Sequence, residues 1–232
     1  MTFIIAIQLN DSIIVAADNK EVILKEDQSN ELLERSTSKL HAWSEGIVTG
    51  TGEYYVIHRC ITLFKEMNQS KLTSLPSCLE LSRQLRKSEI GTEHFQVENT
   101  KLLCSSYSKH GAQLYKVERI NDMQSYNMTA IEPMDITVWM FNPNVETITA
   151  DLKNLYLDLQ DYSTFANQTD WMNHYINRIA PIYQKQSQQD SLMSQSFDFF
   201  FQTKNEYMFG HIPNTQEIAL EFKEISTNLK SV

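Results

Sequence analysis

Two apolar runs, Phe3 to Leu9 and Ile13 to Ala17, face each other across Asn10-Asp11-Ser12. Asn, Asp and Ser favour a tight reversal because their short side chains bond the nearby main chain. The chain is therefore expected to open on a β-hairpin that begins at its second residue. Val22-Ile23-Leu24 continues in extended form, while 19–34 is polar and charged and reads as a surface excursion. Alternation predicts a strand over Ser36 to Trp43, with Leu40 and Ala42 on one side and Lys39, His41 and Trp43 on the other. Ile47-Val48-Thr49 is a short strand leading into a loop, Thr49-Gly50-Thr51-Gly52.

From Glu53 to Met67 the period changes. Tyr54, Ile57, Ile61 and Phe64 recur at spacings of three and four, the signature of an amphipathic helix. Pro76 and Ser77 open a second helix through Leu79, Leu81 and Leu85, since proline fits a first turn where its missing N–H is not needed. Lys101 to Tyr107 and Ala112 to Glu118 read as a hairpin around His110-Gly111, followed by extended segments at Gln124 to Ile131 and Thr137 to Phe141. Helical spacing returns from Val145 to about Tyr162 and from Trp171 to about Gln186, with Pro181 inside the second. Ser196 to Thr203 and Glu206 to Gly210 are strands again, and Phe197-Asp-Phe-Phe-Phe201 reads as a strand buried on both faces. A charged amphipathic helix is expected at about 214–229. Hairpins alternating with paired helices imply an α+β fold of two stacked antiparallel sheets with a helical layer on each outer face. Nothing in the composition divides the 232 residues, so one domain over 1–232 is expected.

Composition narrows the function classes. No apolar run reaches the roughly 20 residues of a membrane span, and the start lacks the basic and apolar pattern of a signal peptide, which points to the cytoplasm. A formal charge of −9 with scattered Lys and Arg argues against a nucleic-acid surface. The small basic cluster Arg83-Gln-Leu-Arg86-Lys87 reads as a solvated helix face. Cys60, Cys78 and Cys104 are widely spaced and read as buried thiols. The six histidines form no H-E-x-x-H or paired metal spacing, no G-x-S-x-G elbow exists, and six glycines leave no phosphate-cradling loop, so no metal and no cofactor are expected.

The chemistry is at the chain start. Most domains leave their first residues loose, because ordering costs about 1–2 kcal/mol per residue. Here the start runs into a core strand. Once Met1 is removed, Thr2 carries a hydroxyl and a free α-amine on one rigid backbone, the pairing an N-terminal nucleophile needs because the amine can act as base to its own side chain.

The string T-F-I-I-A-I-x-x-x-D-S-I-I-V-A-A-D, from Thr2 to Asp18, resembles the opening of the β-type proteasome subunits and their bacterial relatives, the N-terminal nucleophile (Ntn) hydrolases. Further echoes are Ser38-Lys39-Leu40-His41, Val48-Thr49-Gly50-Thr51-Gly52-Glu53, Leu102 to Tyr107 with Gln113 to Val117, and Ser194 to Gln202. The resemblance implies a four-layer αββα sandwich and a threonine peptidase or amide hydrolase acting on a peptide or amide substrate. It assigns the nucleophile to Thr2, an aspartate at the end of the second strand to Asp18, a lysine that keeps the amine neutral to Lys39, and an oxyanion donor to the backbone of Gly50, with Thr49 one register away. It also implies self-association into a ring, and the family includes inactive subunits, so a ring-forming or partner-binding protein is the alternative; a free-standing small-amide hydrolase is a third class. The chain departs from the pattern in three places. Lys39 lies thirty-seven residues beyond Thr2, Glu132-Pro133 stands where relatives carry Gly-Ser-Gly, and Asp190, Ser191 and Ser194 are available for a supporting aspartate and serine without matching their spacing.

Overall fold

The computed structural model describes the chain except for Met1, 25–31, 68–69, 92–93, 109–110, 122–123, 141–143, 205, 216–217 and 224–232, and the side chains of 22–24, 32–33, 67 and 108. Along it come β1 (Ile4–Gln8), β2 (Ile13–Asp18), β3 (Lys20–Leu24), β4 (Leu32–Ser36), β5 (His41–Trp43) and β6 (Gly46–Thr51), then helices α1 (Tyr54–Thr62), α2 (Leu75–Ile90) and the single turn α3 (Phe95–Glu98). Strands β7 (Lys101–Ser108), β8 (Gly111–Glu118), β9 (Asn127–Ala130) and β10 (Asp135–Trp139) follow, then α4 (Thr149–Leu157), α5 (Gln168–Gln189), β11 (Phe197–Gln202) and β12 (Tyr207–Ile212). One five-stranded sheet has the order β10-β1-β2-β11-β12, the other β5-β6-β7-β8-β9, and β3 pairs with β4 apart from both. Every pairing is antiparallel.

Period-two alternation divides the core into three apolar layers. Phe3, Ile5 and Ile7 of β1 and Phe197, Phe199 and Phe201 of β11 pack outward on Trp171, Tyr175, Ile179 and Tyr183 of α5. Ile4, Ala6, Val15 and Phe200 point the other way, onto Ile47, Leu103 and Leu114 of the second sheet. The far side of that sheet, through Val48, Leu102 and Cys104, meets Val56, Cys60 and Leu79 of α1 and α2. The molecule is therefore an αββα sandwich of two antiparallel sheets between helical layers. Its first sheet is covered on both faces, and for that reason every residue of β11 is buried and the strand carries almost no polar alternation. Burying each such aromatic is worth about 1.5–3 kcal/mol. Cys60, Cys78 and Cys104 are buried and form no disulfide.

Several local expectations are corrected. The strand expected from Ser36 is confined to His41–Trp43. Thr37 donates its N–H to the Asn19 carbonyl at 2.8 Å, and the Ser38 hydroxyl lies 3.3 Å from the Leu40 carbonyl, so Thr37 to Leu40 is diverted from sheet geometry. Lys39 thus projects from an irregular segment. The excursion at 19–34 contains β3, whose partner β4 runs to Ser36; 25–31 lie outside the described residues. Thr49, Gly50 and Thr51 belong to β6, and the chain leaves the strand only at Gly52, at φ +124°.

The helical stripes are partly those expected. In α1 and just after it Ile61 and Phe64 are buried as expected, but Val56 and Cys60 join them and Tyr54 is 52% exposed; in α2 Leu79 is buried as expected, with Leu75 and Cys78, while Leu81 and Leu85 are exposed. Arg83, Arg86 and Lys87 are no solvated face: they pair with Glu80, Glu98, Glu53 and Glu89. The helix expected at about 214–229 is not formed over 218–223. There the main chain is held instead by the side chains of α5, with Leu220 N–H on Asn177 Oδ1 and Phe222 N–H on Asn173 Oδ1, each at 2.7 Å; 224–229 lie outside the described residues.

Candidate active site

The hairpin brings the chain start alongside the end of β2. Phe3 lies opposite Asp18, whose N–H donates to the Phe3 carbonyl at 3.1 Å. The return bond goes to the side chain: Phe3 N–H donates to Asp18 Oδ1 at 2.7 Å. Tyr183 of α5 secures Phe3 from the far side, its hydroxyl donating to the Phe3 carbonyl at 3.2 Å and its ring meeting the phenylalanine edge-on at 4.9 Å. Thr2, partly buried, is the next residue back. Continuing the alternation of Ala6 and Ile4 puts Thr2 on the side of β1 turned toward the second sheet.

Asp18 is fully buried, and an isolated carboxylate there would be costly. It is compensated by a charge and by two main-chain donors. Lys39 Nζ lies 2.8 Å from Oδ1 and 2.9 Å from Oδ2, and Lys20 N–H donates to Oδ2 at 3.2 Å. The side chain of Lys39 is 12% exposed. Burial pushes its ammonium below the ordinary lysine value of 10.5, although the Asp18 charge and hydrogen bond pull the other way. Phe3 N and Lys39 Nζ thus bond the same oxygen, and the peptide group that joins Thr2 to Phe3 is within two short contacts of the ammonium.

The β5–β6 register ends with His41 opposite Val48, so Gly50 lies two residues beyond the last position of β6 paired with β5, and Lys39 two residues before β5. No strand pairing joins them among the described residues, because Thr37 to Leu40 is diverted from sheet geometry. Because β5 begins only at His41, Thr49, Gly50 and Thr51 have no strand partner on that side among the described residues. The absence of a side chain at Gly50 has a local cause: a Cβ would come within 2.6 Å of the Lys101 carbonyl on β7. Thr49 is fully buried, and its hydroxyl finds no hydrogen-bond partner among the described residues.

Of the weaker candidates, Ser194 joins the cluster and the other two do not contribute side chains to it. Ser194 Oγ accepts the Asn19 N–H at 3.0 Å and donates to Asn19 Oδ1 at 2.7 Å. Ser191 supplies only its carbonyl, to Lys20 Nζ at 2.7 Å. Asp190 closes the C-terminal turn of α5, where its carboxylate accepts Leu192 N–H at 2.9 Å. Sequence reasoning missed the hub of this network, Asn19. Its Oδ1 also accepts Ser196 Oγ at 2.7 Å, and its amide lies 3.2 Å from His211 Nδ1, which in turn is 2.8 Å from Asp198 Oδ1. Its position directly after Asp18 was the available signal; the partners come from the segment before β11 and from β12, some 175 or more residues away.

Two stacked antiparallel sheets with helices on both outer faces, and a buried aspartate–lysine pair at the end of β2, make up the four-layer αββα fold that the resemblance implies. Among solved structures the chain is similar to a mutant form of Anbu from Hyphomicrobium sp. strain MC1, with a TM-score of 0.62 over 94% of this chain and 90% of that one. Identity is 11%, so the likeness is one of fold. No protein-family model matches the sequence, and no curated protein matches it.

Proposed function

We propose that the chain is a proteasome-type hydrolase of peptides or other amides, working in the cytoplasm with Thr2 as its N-terminal nucleophile once Met1 is removed. The Thr2 hydroxyl attacks the amide carbonyl while its own α-amine, with a reference pKa of about 7.7–8.0, takes the proton. Lys39, held charged by Asp18, disfavours a second positive charge and keeps that amine neutral. The Gly50 N–H stabilises the oxyanion, a role worth about 3 kcal/mol of barrier per donor. Collapse expels the amine product and leaves an ester on Thr2, which water hydrolyses.

The observation that carries this reading is the single Asp18 carboxylate that binds both Phe3 N–H and Lys39 Nζ. A merely structural hairpin has no need of a buried lysine at its first residues. The test is hydrolysis of amide substrates by wild type and by Thr2→Ala. Turnover in the wild type that vanishes in the variant, with the fold unchanged by circular dichroism, is expected; equal turnover in both would remove Thr2 from the mechanism.

A non-catalytic, ring-forming or partner-binding subunit is the second reading. It is favoured by Asp190, which is engaged in its own turn rather than near Thr2, and by Glu132-Pro133 after β9. Both readings include self-association, supported by the exposed Tyr54, Tyr55, Leu81 and Leu85 on the outer helical layer. Light scattering at micromolar concentration is expected to give a mass well above 27.0 kDa.

A further inference from the structure

A cavity of about 370 Å³ is lined by Thr51, Gly52, Phe95, Lys101, Glu118 and Ile120, among others. Its walls are the continuations of the strands described above. Thr51 and Gly52 directly follow Gly50, while Met140, also in the lining, directly follows Trp139 of β10. Since Ile4 pairs with Trp139, the β1–β10 register continued one residue sets Met140 opposite Phe3. The lining thus includes the two residues that follow Gly50 at the end of β6 and, next to β10, the residue whose register position is opposite Phe3.

Its chemistry is uneven. Phe95 is 72% exposed and Ile120 81%, an unusual pair of open apolar side chains on one rim. At the base Lys101 is partly buried, and its Nζ lies 4.5 Å from the centre of the Trp139 ring. The β7–β8 register puts Lys101 opposite Glu118, yet no carboxylate among the described residues lies within ion-pair distance of that ammonium. Burial pushes the Lys101 ammonium below its ordinary value, against the opposing charge of Glu118. An aromatic face is a weaker partner for a desolvated cation than a carboxylate is. Other cations nearby already have carboxylates: Arg119 is bonded to Glu98 at 2.8 Å.

We propose that this cavity is a substrate subsite selective for peptides carrying an acidic side chain, whose carboxylate pairs with Lys101 while neighbouring apolar side chains rest on Phe95 and Ile120. Glu118 acts as the counter-selecting group that limits the site to one carboxylate. As a subsite it rests on the assignment of Thr2 as nucleophile; as a binding site it does not, and the experiment separates the two.

The binding test uses the Thr2→Ala protein and three acetylated, amidated tripeptides, Leu-Glu-Leu, Leu-Gln-Leu and Leu-Lys-Leu, so that no terminal charge competes. Affinity is read by calorimetry and by the fluorescence of Trp139, the one of three tryptophans under Lys101, with Trp139→Phe as the assignment control. The Glu peptide is expected to bind at least about tenfold more tightly than the Gln peptide, the range of a charged hydrogen bond, with the Lys peptide weakest. Lys101→Met is expected to erase the preference and Glu118→Gln to widen it. Equal binding of Glu and Gln peptides, no binding of any, or a preference that survives Lys101→Met would overturn the proposal. If the Glu preference holds but wild type cleaves none of the corresponding amides, the binding site stands and the catalytic reading alone fails.

Discussion

Glu98 and Asp18 hold their cations in opposite ways. Glu98, on the short α3, takes Arg83, Lys87 and Arg119 and remains partly exposed, a cross-link between α2 and the end of β8. Asp18 is fully buried and takes one cation, Lys39, filling its remaining capacity with the backbone N–H groups of Phe3 and Lys20. The first arrangement shares one partly exposed carboxylate among three cations, of which Arg83 and Arg119 are themselves largely buried, at 11% and 4% exposure. The second sets a fully buried carboxylate and an ammonium close to the chain start. Charge clustering alone is thus no guide to chemistry; burial, and what else shares the carboxylate, distinguish the two.

The difference is quantitative and can be broken by mutation. Asp18→Asn leaves Lys39 buried without its anion and is expected to cost about 3–5 kcal/mol in urea unfolding, the range for removing one partner of a buried pair. Lys39→Met should cost less, about 2–3 kcal/mol, because Asp18 keeps its two main-chain donors, but it should abolish amide hydrolysis as fully as Thr2→Ala. Should Lys39→Met prove the more destabilising of the two, the backbone donors matter less than argued. Glu98→Gln is expected to cost about 1–2 kcal/mol, because Arg83 keeps Glu80 and Arg119 keeps the Glu98 carbonyl, and to do so less in high salt.

Proton linkage sharpens the same contrast. Burial would raise the Glu98 carboxyl, but hydrogen bonds from Lys87 and Arg119 and the charge of Arg83 outweigh it and hold the group below the usual 4.5. Its contribution to stability is therefore complete above 4.5 and is lost as pH falls through the lower folded value. For Lys39 the folded value is also lowered, but the group is a cation: between that value and 10.5 the unfolded chain holds more protons, so stability rises with pH across that window. Activity should move the other way there, its alkaline limb falling before 10.5 as Lys39 loses the charge that the mechanism requires. A smaller effect belongs to His41, pushed down to about 4 by burial and by the nearby Lys65 and His58. The unfolded chain takes up this proton first, so stability falls as pH drops from 6.5 toward 4, and His41→Gln is expected to remove that part of the slope in a pH series of thermal melts.

Much of the frame was legible because it is written in local patterns. The hairpin at Thr2 to Asp18 is announced by its turn residues and its two apolar runs, and β11 by five consecutive residues too apolar for a half-exposed strand. What escaped was set by tertiary partners. Of Leu79, Leu81 and Leu85, which the sequence pattern selects, only Leu79 is buried; Leu75 and Cys78 join it in the core shared with α1. Lys39 reads as a strand residue, but Ser38 and Asn19 draw its segment out of the sheet. Asn19 offers only its place after Asp18 as a signal, since the groups it binds arrive from the segment before β11 and from β12.

The account turns on the reactivity of one hydroxyl at the chain start. The most direct measurement is intact and peptide mass spectrometry of the purified protein before and after treatment with a threonine-directed electrophile. A chain lacking Met1, and a single adduct that maps to Thr2 and is lost in Lys39→Met, is the predicted result. Retention of Met1 in every preparation, or an adduct that forms equally well without Lys39, would contradict it.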